Sequence, residues 1–321
     1  MNRQLHRPWL AALAAAVFVV AFVAAPALAE QKFEEKFEKT VPLSKTGRLY
    51  LSNISGNVDV MTWKDAQVKI EALKTSKASS ADKAKENAAK VTIDVTGEGD
   101  MVRVETNYPK KSGGFLRGDS INVSVDYRIW VPEQASVELK TISGDVNVAA
   151  IGGAAKIKCI SGDVGLKAAS SADLDMVSGD LAIGNIGGAV HIKGVSGDID
   201  VSAVKGSVDI KTVSGDIKLM DVPDAESVGV ESVSGNVTFT GVIKAGGRYA
   251  FNIHSGDVRV MIPASSSFDV DAKTFSGDID SDFEITVSGK ISPRELHGTV
   301  GKGGATLILK TFSGNIDLKK K

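Results

Sequence analysis

The chain has 321 residues, a formal net charge of −1, 43% hydrophobic but only 6% aromatic residues, 33 glycines and one cysteine. A balance this close to neutral gives no electrostatic footing for nucleic acid, and the lone Cys159 excludes an internal disulfide. Many glycines and few aromatics suit a thin, repetitive core better than a thick globular one.

Residues 1–29 read as a secretory signal peptide. Arg3 and Arg7 precede the apolar run "PWLAALAAAVFVVAFVAAPALA", which ends in Ala27-Leu28-Ala29 before Glu30. The run is long enough to span a bilayer, but Pro26 and the small residues beside it favour cleavage. No cysteine lies near the cut to carry a lipid. The expectation is an exported chain, periplasmic or extracellular at the cell surface, with no membrane insertion after signal removal. Loss of the two arginines takes its formal charge from −1 to −3.

Residues 30–135 form a β-rich segment. It holds an early copy of a motif, "SNISGNVDVMTW", then "SSADKAKENAAK" at residues 79–90. The latter predicts a short helix capped by Ser80, with Ala81, Ala84 and Ala88 on one stripe. Strand-like "KVTIDV", "MVRVET" and "INVSVDYRIWVP" follow, with a Gly-rich loop at "KKSGGFLRGD". This segment is expected to plug the first end of what comes next.

Residues 136–321 are a repeat array. The motif S-G-[DN]-[VIL] occurs ten times in the chain, and from Gly144 to Gly215 its glycines step by 18, 17, 18 and 18, lengthening afterwards to 20, 21 and 21. A fixed period of this size is the mark of a solenoid. In "VDIKTVSGDIKL" the residues Val208, Ile210 and Thr212 share one face, Val213 breaks the parity, and Ile217 and Leu219 resume it past a corner. Links such as Ile151-Gly152-Gly153, Ile186-Gly187-Gly188 and Lys205-Gly206 supply a second corner. The fold class is therefore all-β, a parallel β-solenoid of about 18–21 residues per turn. A single turn cannot bury enough to stand alone, so the array is stable only collectively. A loop excursion is expected near residues 282–304, and Lys319-Lys320-Lys321 is expected to leave a charged terminal edge that discourages further strand addition.

The candidate site residues are those of the corner itself. They are Gly56 with Asn57, Gly144 with Asp145, Gly162 with Asp163, Gly179 with Asp180, Gly197 with Asp198, Gly215 with Asp216, Gly235 with Asn236, Gly256 with Asp257, Gly277 with Asp278 and Gly314 with Asn315. The glycine is expected to hold a positive φ. The third position is Asp seven times and Asn three times, so it keeps an acceptor and can give up the charge. An Asx-turn, in which that oxygen bonds a backbone N–H of its own turn, fits this exchange. Stacked carboxylates about 4.8 Å apart repel by roughly 0.9 kcal/mol in water, less than the roughly 1.5–3 kcal/mol of a carboxylate–N–H bond. Calcium-binding nonapeptides use G-G-x-G-x-D, which is absent here, so no metal or other cofactor is expected. His191 lies at an outward position, His254 fills a slot held elsewhere by Val, Ile or Phe, and His297 falls in the late loop. None has the spacing of a catalytic or metal centre. Cys159, between Ile157 and Ile160, reads as a buried small apolar residue. Asn147, Gly165, Ala182, Asp200, Lys218, Thr238, Arg259 and Asp280 vary freely on the outward side, as a solvated or broad contact surface would.

The chain resembles the bacterial putative adhesin family of β-strand-repeat proteins over about residues 40–318. The resemblance is carried by "LYLSNISGNVDVMTW", "YRIWVPEQASVELKTISGDV", the run of SGD turns and "GKGGATLILKTFSGNIDL". It implies a parallel solenoid, right-handed, and brings no catalytic residue with it. The reading is a non-enzymatic, adhesin-like protein of the cell envelope that contacts a surface, glycan or protein partner. Two alternatives from other classes are a polysaccharide-acting β-helix enzyme and a periplasmic component of envelope-stress signalling.

Overall fold

A computed structural model describes residues 30–109, 121–288 and 292–321. The signal-peptide segment and the "KKSGGFLRGD" loop lie outside the described residues. Ten rungs stack along one axis, each named here by its turn glycine. Every rung has a strand before the Ser-Gly-Asp turn and another after it, and the two sets form two parallel sheets. In the pre-turn sheet Leu139 of Ser136–Ser143 registers with Ile157 of Ala154–Ser161, which registers with Leu174 and then Ile192. In the post-turn sheet Val146, Val164, Leu181, Ile199 and Ile217 form one such column. Identical inward spacing in every rung makes identical partners meet, so register and core are set by one pattern.

The core between the sheets changes along the axis. Rungs of 17–18 residues are filled chiefly by Val, Ile and Leu, with Ala155, Cys159, Ala172 and Met176 among them. Where the period lengthens to 20 and 21, aromatic rings enter the core. Phe239 lies 6.0 Å from Tyr249 and 5.5 Å from Phe251, ring centre to ring centre. The Tyr249 hydroxyl donates to the Ala225 carbonyl at 2.6 Å and accepts from Lys244 N–H at 2.9 Å. Phe283 meets Phe268 edge-on at 5.4 Å and closes the far end.

The N-terminal segment caps the first end in both sheets. Gln67–Ala78 runs antiparallel between residues 31–42 and Asn122–Pro132, and the last of these lies parallel against Val58–Trp63 of the first rung. Gly99–Asn107 lies parallel against residues 48–52 and carries Thr92–Thr96 antiparallel on its outer edge. The helix spans Ala81–Ala89, and its Ser80 cap accepts from Lys83 N–H at 3.2 Å. Its buried residues are Ala84, Asn87 and Ala88; the expected third stripe member, Ala81, is exposed in the first turn.

The other end departs from expectation. The final copy does not stack outermost. Thr306–Ser313 lies between Arg248–Ser255 and Phe268–Ser276, and Ile316–Lys320 lies between Val258–Ile262 and Ile279–Ser281. The Gly314 rung is thus inserted between the Gly256 and Gly277 rungs. The chain returns to it through Thr286–Val287 and Glu295–Val300, a hairpin whose second strand runs antiparallel along Phe268–Ser276. Asp269 pins this return, accepting from the Thr299 hydroxyl at 2.7 Å and from Gly304 N–H at 3.2 Å. Lys319-Lys320-Lys321 therefore forms no terminal edge: Lys321 N–H donates to the Ile262 carbonyl at 2.8 Å, and Lys319 Nζ lies 3.4 Å from Asp282. The outermost post-turn strand is instead the three-residue Ile279–Ser281, and a short edge resists strand addition as a charged one would.

Tyr108 ties the N-terminal cap down, its hydroxyl donating to the Val123 carbonyl at 3.0 Å, and burial pushes its ionisation up to about 12 from the usual 10.0. A raised folded-state value means the stabilisation is complete below pH 10 and is lost as pH climbs toward 12. Alkaline titration followed by tyrosinate absorbance and circular dichroism should show the cap loosening in that window, and Tyr108→Phe should reduce the pH dependence there. An unchanged profile in the variant would contradict this assignment.

Candidate functional site: the Ser-Gly-Asp ridge

Ten turns stack into a continuous ridge along one side of the solenoid. Each turn glycine holds φ between +114° and +150°, a region closed to side chains with a Cβ. A second constraint acts at the same atom. A Cβ built on Gly197 would overlap the Gly179 carbonyl oxygen, and one on Gly215 would overlap that of Gly197. The same collision recurs at every stacked turn glycine, including Gly314 against Gly256 and Gly277 against Gly314.

The third position does something other than an Asx-turn. At most corners Gly N–H donates to the next rung's Ser carbonyl, and the residue after Asp donates to the next rung's Asp carbonyl, as in Gly144 to Ser161 and Val146 to Asp163. The Asp N–H between them has no backbone acceptor. The side-chain oxygen of the neighbouring rung takes it. Asn57 N–H donates to Asp126 Oδ1, Asp145 N–H to Asn57 Oδ1, and Asp163 N–H to Asp145 Oδ1, at 2.8, 3.0 and 3.0 Å. The ladder continues through Asp180, Asp198, Asp216, Asn236, Asp257, Asn315 and Asp278, with every donor–acceptor distance between 2.7 and 3.0 Å. It passes through Asn315 before Asp278, following the inserted rung. The bond runs between turns because the turn's own N–H groups already serve the sheet ladder. A carbonyl oxygen on Asn meets this geometry as well as a carboxylate does, which accounts for the three Asn positions.

The residue just before each Ser-Gly faces outward. Ile54, Ile142, Ile160, Val177, Val195, Val213, Val233, His254, Phe312 and Phe275 stand in that order along the ridge, and the apolar members are 37–63% exposed. At the far end they become a stack: His254 lies 5.0 Å from Phe312, and Phe312 lies 4.7 Å from Phe275, with the ring planes nearly parallel in both cases. Two residues earlier runs a row rich in cations, Lys140, Lys158, Asp175, Lys193 and Lys211 over five rungs; Lys158 pairs with Asp175 at 2.6 Å. Across the turn the same five rungs present Asp145, Asp163, Asp180, Asp198 and Asp216. A shallow groove of about 610 Å³ lies between the lysine row and the apolar row from Ser52 to Val195. The sequence held a signal for this row, the parity break at Val213 and the slot shared by His254, but read as a bend it carried no meaning as a surface.

The remaining candidates do not converge. His191 Nδ1 lies 4.0 Å from Asp209 and His297 Nδ1 lies 2.9 Å from Asp271, both on exposed strand positions. His297 thus sits on the return strand rather than in a loop. Cys159 is buried with Sγ 3.6 Å from the Gly162 carbonyl, and burial pushes its thiol up. Among the described residues no three His, Cys, Asp or Glu side chains group to hold a metal. Small outward residues, Gly165, Ala182 and Gly184, floor a trough of about 1070 Å³ on the post-turn sheet, rimmed by Arg128, Asp200 and Lys218. Among the described residues no helix is long and apolar enough to cross a membrane.

The model of the Toastrack DUF4097 family matches residues 46–319. The chain belongs to that family. The Toastrack match spans the first rung, the cap apart from its strand at residues 31–42, and the array, and agrees with the resemblance to bacterial adhesin-like repeat proteins. No curated protein matches the chain. Among solved structures, a putative adhesin from Bacteroides fragilis aligns with 88% of this chain and 96% of its own at 11% identity and a TM-score of 0.42. A putative lipid binding protein from Parabacteroides distasonis aligns with 88% and 97% at 11% identity and 0.44. A putative cell adhesion protein from Clostridium sporogenes aligns with 90% and 100% at 12% identity and 0.31.

Two substitutions separate the roles within a Toastrack turn. Gly197→Ala should destabilise the protein by about 3–6 kcal/mol, from backbone strain together with the clash on the Gly179 carbonyl. Asp198→Asn should stay within about 0.5 kcal/mol of the parent, whereas Asp198→Ala should lose about 1.5 kcal/mol by stranding the Asp216 N–H. Denaturant melts measure all three, and equal losses for Asn and Ala would refute the acceptor role.

Proposed function

We propose that this is an exported, non-enzymatic, adhesin-like binding protein of the cell envelope, and that the Ser-Gly-Asp ridge is its contact face. The apolar row is the observation that carries the reading. A strip of Ile, Val and Phe repeated on consecutive rungs adds nothing to the core and weakens solubility, as contact surfaces do. It extends about 43 Å, nine rung spacings of about 4.8 Å. Length and repetition suit an extended or repetitive partner better than a small molecule. The export signal expected at residues 1–29 and the resemblance to bacterial adhesin-like repeat proteins support the envelope setting.

Val195→Lys combined with Val213→Lys places two charges at the centre of the row, on side chains that are 46% and 48% exposed. Binding of the purified protein to envelope fragments of the producing cells should fall at least tenfold while the melting temperature moves by only a few degrees. Undiminished binding would remove the ridge from the reading. Incubation with a polysaccharide panel should release no new reducing or unsaturated ends, and their appearance would favour the β-helix enzyme instead.

A further inference from the structure

We infer that the ridge recognises a second copy of this chain, and that the two solenoids lie side by side and parallel, about a two-fold axis running along the stack. The inference rests on the reading of the ridge as the contact face and names its partner.

Three features point to self-recognition. The first is period. A partner that touches every rung must repeat at the rung spacing, and this chain carries that repeat itself. Two parallel copies stay in step for the full length without adjustment.

The second is charge. From the Gly144 rung to the Gly215 rung the row on one flank of the apolar strip holds four lysines and one aspartate, and the row on the other flank holds five aspartates. Two ridges brought face to face can be related in two ways by a two-fold axis. An axis across the ridge reverses one copy and sets lysine row on lysine row, aspartate row on aspartate row. An axis along the ridge sets each lysine row on the partner's aspartate row. The second arrangement is the electrostatically favourable one and keeps the apolar rows in contact, although Lys140, Lys158 and Lys211 already pair with Glu138, Asp175 and Glu231 of their own chain. Lys193 has no ion-pair partner among the described residues of its own chain, so it is available to face the carboxylate of Asp198 in the other copy. The ladder bonds occupy one oxygen of each carboxylate and leave the second for such a contact.

The third is extent. A strip about 43 Å long, reaching about 15 Å from the lysine row to the aspartate row, buries roughly 650 Å² on each copy, near the lower limit for a specific association. The contact is therefore reversible and concentration-dependent. In the same arrangement the stack of His254, Phe312 and Phe275 meets its own counterpart at one end of the dimer.

Sedimentation of the purified protein across a concentration series should show a monomer–dimer equilibrium that weakens with salt. Val195→Lys with Val213→Lys should raise the dimer dissociation constant at least tenfold, and so should Lys193→Glu. Direction is read by oxidative cross-linking, with the buried Cys159 as an unreactive internal control. Ile142→Cys should cross-link to itself, and Phe312→Cys to itself. A mixture of the two, one of them carrying a size tag, should give no mixed dimer. A protein that stays monomeric at every concentration, or mixed dimers in preference to self-linked ones, would overturn the inference. If the protein is monomeric yet the double lysine variant still loses envelope binding, the ridge remains the contact face and its partner is another molecule. If neither property changes, both readings fall.

Discussion

Successive backbones must approach to strand-pairing distance at a corner as well as along the sheets, and this one constraint governs the molecule. A turn that reverses parity and still stacks at about 4.8 Å leaves no room between the turn glycine and the carbonyl of the rung beside it. Gly197 illustrates it: both its φ of +127° and the oxygen of Gly179 exclude a Cβ. Because the obstacle is backbone, it cannot be relieved by a different rotamer. Each turn therefore requires glycine for the sake of its neighbour as much as for itself, and the repeat propagates its own sequence requirement from rung to rung.

The same corner creates a second demand. Turning the chain leaves one N–H per rung without a backbone acceptor, at an exposed corner where only water would otherwise meet it. The side chain at the third position resolves it from the adjacent rung. Pairing of this sort couples rungs through the turn as well as through the sheets, which favours cooperative unfolding of the stack over peeling of single turns. It begins at Asp126, in the capping strand Asn122–Pro132, so the N-terminal segment is joined to the array by the same bond that joins the rungs to one another.

Much of this was legible in the residues. The period, the strand–corner–strand rung, the Ser80-capped helix and the positive φ of the glycines each follow from local pattern. What did not follow is informative. The Asp/Asn exchange identified an acceptor but not its donor, since an oxygen two bonds from Cβ reaches its own turn and the next one equally well. The order of the last two rungs was equally opaque. Equivalent repeats carry equivalent edges, so nothing local to Gly314 distinguishes a place beside Gly277 from a place between Gly256 and Gly277. The hint lay in spacing: 37 residues separate Gly277 from Gly314, close to two earlier periods, and the excess is the hairpin that brings the chain back. Asp269 holds that hairpin to its rung, and hydrogen bonds from Thr299 and Gly304 draw its carboxyl below the usual carboxylate range.

The parity reversal also explains why the apolar row is a meaningful surface rather than leftover core. Two outward residues in succession, such as Val195 and Ser196, are unavoidable where a strand enters this corner. Geometry fixes their direction but not their chemistry. Ser, Thr or Lys would satisfy the position next to solvent, and the following position is Ser in all ten copies. Yet nine of the ten preceding residues are Ile, Val or Phe and the tenth is His254, which stacks on Phe312 as its apolar neighbours do. Packing does not demand that uniformity, since these side chains cover no interior. A contact made along the whole ridge does, because one polar residue in the row would have to be dehydrated at the centre of the strip. The core and the row thus answer to different partners, the first to the sheet opposite and the second to whatever lies against the ridge.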